Sequence, residues 1–478
     1  MYKKALIKMA LFSSVILGFG SCKIQENRSS NFKMAIPDVY LESGDTSSSA
    51  AVLWQDFFSD PYLAVLIDSA LKNNQELNIL SQEIRISKNE IKARRGELFP
   101  LVSLGLDGGI DKVGRYTRNG ALEHNIPLKS GTEFPEPFSE LRSGVFASWE
   151  VDIWKKLRNS KKMAFYRYLA SIEGRHFMET QLISELAGSY FELLALDNQL
   201  AIVKENIELQ AKALEIVKFQ KQAARVTELA VRKFEAEVFL NKSKQFELSQ
   251  SIIQVENEIN RLLGRFPEKI HRSSIPLCDH PLFNLRTGVP SDLLENRPDV
   301  VQAELQLLEA KLDVKVARAN FYPALRITSG VGLEAFNAAH LLKSPQSLLY
   351  NLAGDLLMPL LNKSAIKAEY QSANSRQIQA VLNYEQVLLK AHFEVLNQVS
   401  KIENLEANYN FRLQQVDALL RSTEILGTLF SSARADYMEV LMTQRDALEA
   451  RMELVETREK QFQAYVSAYR ALGGGWSN

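Results

Sequence analysis

The sequence predicts a mostly α-helical chain with a transmembrane β part, built from two helix–strand–strand–helix repeats. Three observations predict it: two long intervals free of proline, four short segments of period-two hydrophobicity, and a correspondence between the two halves. All fourteen prolines avoid the intervals from Pro137 to Pro267 and from Pro359 to the C-terminus. Proline inside a helix costs about 3 kcal/mol, so two gaps of this length indicate very long helices. Glycine agrees, with only Gly174 and Gly188 between Leu157 and Leu263, and only Gly427 between Leu360 and Leu472. Inside these intervals Val381, Leu388, Val395, Ile402, Tyr409 and Val416 recur every seven residues. Leu200, Val203, Ile207, Leu214 and Val217 form one stripe, with Ile202, Leu209 and Ile216 beside it. Heptad spacing of this kind packs helices as coiled coils do, and two stripes give a helix two neighbours. Long helices are expected at about 156–219, 229–263, 361–429 and 437–472.

The strands lie where the prolines crowd. Val102, Leu104, Leu106 and Ile110 alternate with Ser103, Gly105, Asp107, Gly109 and Asp111. Val145, Ala147, Trp149, Val151 and Ile153 alternate with Phe146, Ser148, Glu150 and Asp152. Similar runs follow Tyr322-Pro323 and surround Tyr350. Strands are therefore expected at about 101–111, 143–154, 324–335 and 346–358, each the length of a tilted membrane-spanning strand. Two soluble hairpins on a helical core would give the same alternation. Four strands leave two open edges, which hydrocarbon does not tolerate, and closed barrels need about eight strands or more. Several chains must then pool their strands, and three chains give a 12-stranded trimeric β-barrel continued by a long α-helical barrel.

The halves correspond residue by residue. Leu71-Lys-Asn-Asn-Gln-Glu-Leu77 leads to Phe99-Pro100, as Leu294-Glu-Asn-Arg-Pro-Asp-Val300 leads to Tyr322-Pro323, at an offset of 223 (323 − 100). Leu262-Leu-Gly264 matches Ala471-Leu-Gly473 at an offset of 209 (473 − 264). The segments read as a signal peptide at 1–21, a tether at 22–52, a first repeat at 53–275, a connector at 276–290 and a second repeat at 291–478.

The N-terminus carries an address. Lys3, Lys4 and Lys8 precede an apolar run of about a dozen residues ending in Gly20-Ser21-Cys22. That run is too short to span a bilayer as a helix and has the form of a secretory signal peptide. Gly20-Ser21-Cys22 resembles a lipobox, which makes Cys22 the expected lipidation site. Several acyl chains, at about 0.8 kcal/mol per buried CH₂, would hold the terminus at a membrane.

Other function classes fall away. Lys+Arg and Asp+Glu are both 57, so no net charge favours a nucleic-acid partner. The six histidines are scattered, and no phosphate loop, zinc-protease motif or nucleophile elbow occurs, so no enzyme, metal or cofactor is expected. With Cys22 lipidated, Cys278 has no disulfide partner, and Cys278-Asp-His280 lacks a second pair of metal ligands.

Leu293-Leu-Glu-Asn-Arg-Pro-Asp-Val-Val-Gln-Ala-Glu304, Ala319-Asn-Phe-Tyr-Pro323 and Ala471-Leu-Gly-Gly-Gly-Trp476 resemble the outer membrane efflux protein family, TolC-like ducts and especially their lipoprotein branch. Pro298 suits the start of a helix, with Asn296 as the expected cap. The resemblance implies a homotrimer in the outer membrane, reaching across the periplasm. It also implies a periplasmic adaptor protein and an inner-membrane transporter of the resistance–nodulation–division (RND) type, which would supply the energy. It places a periplasmic aperture at the helix–turn–helix tips, Phe219–Leu229 and Phe430–Leu441. Met438 and Glu439 would line it, with Arg434 and Asp436 available for ion pairs between chains. Glu150, Asp152, Arg326 and Glu334 are expected to face the lumen. Passive export of small molecules is the function implied. A duct for type I protein secretion is the alternative within the fold, and a coiled-coil scaffold lipoprotein without a pore is the alternative outside it.

Overall fold

The computed structural model describes residues 52–127, 133, 135–283, 285–286, 288–358, 363–432 and 434–476. Cys22 and the expected signal peptide lie outside the described residues. The chain opens with α1 (Trp54–Phe57), α2 (Pro61–Asn73) and α3 (Gln75–Gly96), then β1 (Leu101–Asp111), α4 (Arg118–Asn125) and β2 (Phe138–Val151). The long helices α5 (Lys156–Gln222) and α6 (Glu228–Leu262) follow. The second half runs α7 (Leu293–Asn296), α8 (Pro298–Ala319), β3 (Ala324–Ala335), α9 (Ala338–Leu341), β4 (Leu348–Leu357), α10 (Ser364–Ser431) and α11 (Tyr437–Ala471).

Helix α5 has 67 residues and α10 has 68. At 1.5 Å per residue each is about 100 Å long. The heptad residues explain their packing. Val203 and Val217 of α5 are fully buried, and Leu388, Val395 and Val416 of α10 are buried as well. The second α5 stripe behaves otherwise: Ile202 is buried, but Leu209 and Ile216 remain half exposed within the single chain.

The expected strand at 143–154 is instead Phe138–Val151, because the chain leaves the sheet early. Asp152 turns its carboxylate onto the backbone N–H groups of Leu157 and Arg158, both at 3.0 Å. Lys155 enters the left-handed region at φ 59° just before α5 begins. A second expectation also shifts. Arg297, not Asn296, is the N-cap residue of α8, with extended φ −90° and ψ 113°. Pro298 disfavours helical geometry in the residue directly before it, which places the boundary there.

The main core lies where the N-terminal helices and the connector meet the long helices. Phe57 stacks on Tyr469 (4.1 Å between centroids), and Phe191 stacks on Phe462 (4.5 Å). Phe283 of the connector packs against Phe57, Phe58, Phe191 and Phe462. The buried Tyr190 hydroxyl donates to Asp60 at 2.8 Å, while the same aspartate caps α2 through the N–H groups of Tyr62 and Leu63. Burial, then the adjoining Asp60 carboxylate, pushes this phenol above its ordinary range.

Several contacts occur twice at the spacings read from the sequence. Asn74 donates to the Leu262 carbonyl at 3.0 Å, and Arg297 donates to the Ala471 carbonyl at 2.9 Å (297 − 74 is 223; 471 − 262 is 209). Glu90 of α3 pairs with Arg167 of α5, and Asp313 of α8 pairs with Arg376 of α10 (313 − 90 is 223; 376 − 167 is 209). Gly264 and Gly473 both have positive φ, 69° and 90°, and each lies against the carbonyl of Asn73 or Asn296.

Candidate functional site

The four strands form one antiparallel sheet in the order β1-β2-β3-β4, so β1 and β4 each keep one unpaired edge in the single chain. Register decides what each face carries. Leu104 stands opposite Val145, Val145 opposite Val331, and Val331 opposite Tyr350. The row below aligns Leu106, Ser143, Leu333 and Leu348 in the same way. One face is therefore apolar almost throughout. It is also bare: Leu104, Leu106, Ile110, Tyr350 and Leu352 are each at least 76% exposed. A contiguous exposed apolar patch of this kind marks a surface that meets a membrane or another protein.

The opposite face carries charge. Glu150 stands across from Arg326, and Arg326 across from Asp355. Glu150 accepts from Lys156 at 2.7 Å, and Glu334 pairs with Arg142 at 3.5 Å. Glu150, Arg326 and Glu334 thus share the polar face. Asp152 departs from the lumen expectation: it lies past the end of β2, its side chain is 9% exposed, and it is occupied in capping α5 and holding Arg158 at 2.9 Å. Sequence reasoning passed over Asp107, Arg142 and Asp355 as candidates, although period two alone puts them on the same face. Phe146 also lies on this face, where its ring covers Gly105 and Gly330 on the neighbouring strands. A side chain at either glycine would collide with that ring.

The two helix–turn–helix tips meet at the other end of the long helices. Val217, Ala230, Val231 and Phe234 of the first tip form a buried cluster against which Phe430, Tyr437 and Leu441 of the second tip pack. Ala224 takes φ 55° in the first turn. Asp436 caps α11 by accepting from the Met438 N–H at 3.2 Å. The Lys233 ammonium reaches Met438 Sδ at 3.5 Å, so that thioether faces the first tip of its own chain. Arg434 and Glu439 are exposed, and among the described residues neither has an ion-pair partner within the chain. Of the four expected aperture residues, Arg434, Asp436 and Glu439 are exposed, and Met438 is half-buried.

Cys278 is a free, half-buried thiol beside Tyr409, and burial pushes its pKa up. Among the described residues no cluster of three or more His, Cys, Asp or Glu side chains is placed to hold a metal ion. No helix among them is long and apolar enough to cross a membrane.

The profile of the family described as outer membrane efflux protein matches residues 66–265 and again residues 289–474. The chain belongs to the outer membrane efflux protein family. It is 28% identical over 447 residues to the pyoverdine export outer membrane protein OpmQ of Pseudomonas aeruginosa, covering 92% of this chain and 90% of that one. It is 25% identical to SilC of Salmonella typhimurium, named a probable outer membrane lipoprotein, over 88% of both chains. Among solved structures, the open-state MtrE outer membrane channel of Neisseria gonorrhoeae shares the fold with a TM-score of 0.82 at 23% identity, covering 93% of this chain and 96% of that chain. Members of the family are outer-membrane channels that extend into the periplasm, and they are not enzymes. This outer-membrane efflux chain is one of them.

Proposed function

We propose that three copies of this chain pool their sheets into one 12-stranded barrel, lipid outside and an aqueous lumen inside, continued into the periplasm by the long helices. The observation that carries this reading is the bare apolar face of a sheet whose two edges are unpaired. Hydrocarbon supplies a solvent for the face, and neighbouring copies supply partners for the edges. The contacts that recur at spacings of 223 and 209 support two repeats per chain, hence six similar units around the ring.

The duct conducts passively. It receives small molecules from a periplasmic adaptor protein and an inner-membrane transporter of the RND type, and that transporter supplies the energy. OpmQ, named for pyoverdine export, favours small-molecule cargo over secreted protein. Cys22 is the lipidation site and anchors the tether at 22–52 to the membrane, a reading to which SilC's description as a lipoprotein lends support. At the periplasmic end, Glu439 from three chains forms a collar of carboxylates, with Arg434 placed for contacts between chains.

The experiment is reconstitution of the purified protein in a planar bilayer, with gel migration before and after heating. The reading requires stepwise conductance and a heat-labile band of three times the chain mass. A monomeric protein without conductance, its strands packed against its own helices, would overturn it. Cys22→Ala is expected to lose incorporation of labelled palmitate while still forming the heat-labile band.

A further inference from the structure

Strand β1 leaves α3 and β2 leads into α5, so both hairpins turn back at the end of the sheet remote from the long helices. Phe138 opens β2 at that end, and Phe336 directly follows the last residue of β3. A cavity of about 290 Å³ lies there, lined by Phe138, Glu140, Glu334, Phe336, Gln346 and Leu349 among others. Strand alternation fixes the side on which it opens. Glu334 stands opposite Arg142, as Arg326 stands opposite Glu150, and Leu349 stands opposite Gly332. Phe138, Glu140, Glu334 and Leu349 therefore share the polar face, which the trimeric reading turns towards the lumen at the exit.

Aromatic rings and carboxylates meet in this cavity. The Phe336 and Phe138 rings lie 6.1 Å apart between centroids, and His340 of α9 stacks on Phe336 at 5.0 Å. The Glu334 N–H donates to the Ser347 carbonyl at 2.7 Å, which closes the second hairpin and brings Gln346 to the same cavity. Arg142 approaches Glu334 at 3.5 Å and Glu140 at 3.7 Å, and its buried Nε makes no hydrogen bond among the described residues. One guanidinium thus serves two carboxylates loosely. The Glu140 and Glu334 side chains are 54% and 33% exposed, so their oxygens stay open to a further cation.

We infer that this cavity is a station for organic cations that carry an aromatic ring, met by cargo as it leaves the duct. The inference rests on the lumen reading above and adds a cargo chemistry to it. An aromatic face draws positive charge towards its π-system, while a carboxylate beside it supplies the counter-ion. An anion would meet two carboxylates against one guanidinium, and a neutral solute would use neither. The cavity is at the small end of ligand sites, which begin at about 300 Å³. Its walls are partly exposed, so a cation comes off as readily as it binds, which conduction through a pore requires.

A second cavity on the same face provides the contrast. It holds about 210 Å³ beside Phe146, with Ser103, Ser148, Thr328 and Asn351 in its walls. None of the residues lining it is ionised, so a ring is present there without a counter-ion. Glu150, nearer the helices, is the reverse case: its carboxylate already accepts from Lys156 at 2.7 Å. Rings and loosely paired carboxylates coincide at the exit end.

Block of single-channel current tests the station in the full-length protein, reconstituted in a planar bilayer. Three probes are compared: benzyltrimethylammonium, its cyclohexylmethyl counterpart of equal charge and similar size, and benzenesulfonate. The benzyl cation should block at about threefold lower concentration than the cyclohexylmethyl cation, and benzenesulfonate should block least. Phe138→Leu/Phe336→Leu should erase the difference between the two cations. Glu140→Gln/Glu334→Gln should raise the blocking concentration of both cations by about threefold to fivefold. Glu150→Gln, about 33 Å further along β2 and several screening lengths away, should change it by less than about twofold. Conductance without probe shows that each variant has assembled, and should one pair fail to assemble, the other pair and the probe comparison in the unaltered protein decide. Channels that conduct but block equally with both cations, that ignore both pairs of substitutions, or that respond as strongly to Glu150→Gln would overturn the station and leave the channel reading standing. Absence of conductance in the unaltered protein would overturn both.

Discussion

Arg297 offers a perturbation whose size can be worked from its surroundings. Its side chain is only 5% exposed and holds three partners at once: Asp299 at 2.7 Å, Glu394 of α10 at 2.8 Å and the Ala471 carbonyl at 2.9 Å. It thereby ties the start of α8 to α10 and to the end of α11. Removing one member of a buried pair costs about 3–5 kcal/mol, because the remaining charge is left without compensation. Asp299 and Glu394 are 20% and 32% exposed, so water will recover part of that cost. Arg297→Ala should therefore cost about 2–3 kcal/mol, between the buried-pair figure and the 0–1 kcal/mol of exposed pairs. The loss is local, and hydrogen exchange in detergent reads it directly. At tenfold per 1.4 kcal/mol, amides of residues 293–301 and 470–476 should exchange about 30- to 150-fold faster. The counterpart Asn74 makes the same carbonyl contact without any ion pair. Asn74→Ala should therefore cost about 1–2 kcal/mol, for the loss of one cap and one hydrogen bond, and less than Arg297→Ala. Equal exchange in Arg297→Ala and the unaltered protein, or equal effects at positions 74 and 297, would refute the reasoning.

Three further outcomes follow from the same physics. Gly473→Ala forces a side chain into φ 90° against the Asn296 carbonyl, and Gly264→Ala does so at φ 69° with the Asn73 carbonyl oxygen 2.6 Å from the added carbon; each should cost about 1–3 kcal/mol or more, read as reduced heat-labile trimer. Burial, with Glu192 and Glu456 nearby, pushes Glu459 up to about 7 from 4.5. The folded state then holds a proton that the unfolded chain releases, so stability should fall as pH rises from about 4.5 to 7 and stay level above. Glu459→Gln should raise the unfolding midpoint at pH 8 and leave it nearly unchanged at pH 4. Glu439→Gln should lower the preference for cations in reversal-potential measurements, whereas Asp152→Asn should leave it unchanged while lowering thermal stability, since Asp152 caps a helix.

The long helices, the strands and the internal correspondence were legible because each is a local or periodic property. Proline exclusion and heptads mark α5 and α10, and strict alternation marks β1 and β3 at their expected limits of 101–111 and 324–335. Element ends were less legible where one particular side chain, and not a periodic pattern, decides them. The end of β2 depends on Asp152 reaching Leu157 and Arg158, and the cap of α8 on what Pro298 denies to Arg297. The candidate site divides the same way. Alternation places Glu150, Arg326 and Glu334 on one face, but it contains nothing about Met438 turning towards Lys233 of the other tip.

Sequence by itself determined the elements, their duplication and the two-faced character of the strands, because these follow from spacing along the chain. Tertiary structure alone decided which rows align across β1, β2, β3 and β4, which stripe of α5 stays bare, and which charges find partners. Those outcomes depend on contacts between residues that are not neighbours in sequence, some of them more than a hundred positions apart, such as Arg167 with Glu309 or Arg297 with Ala471. No local pattern encodes such distances; they are set when the helices and the sheet pack together.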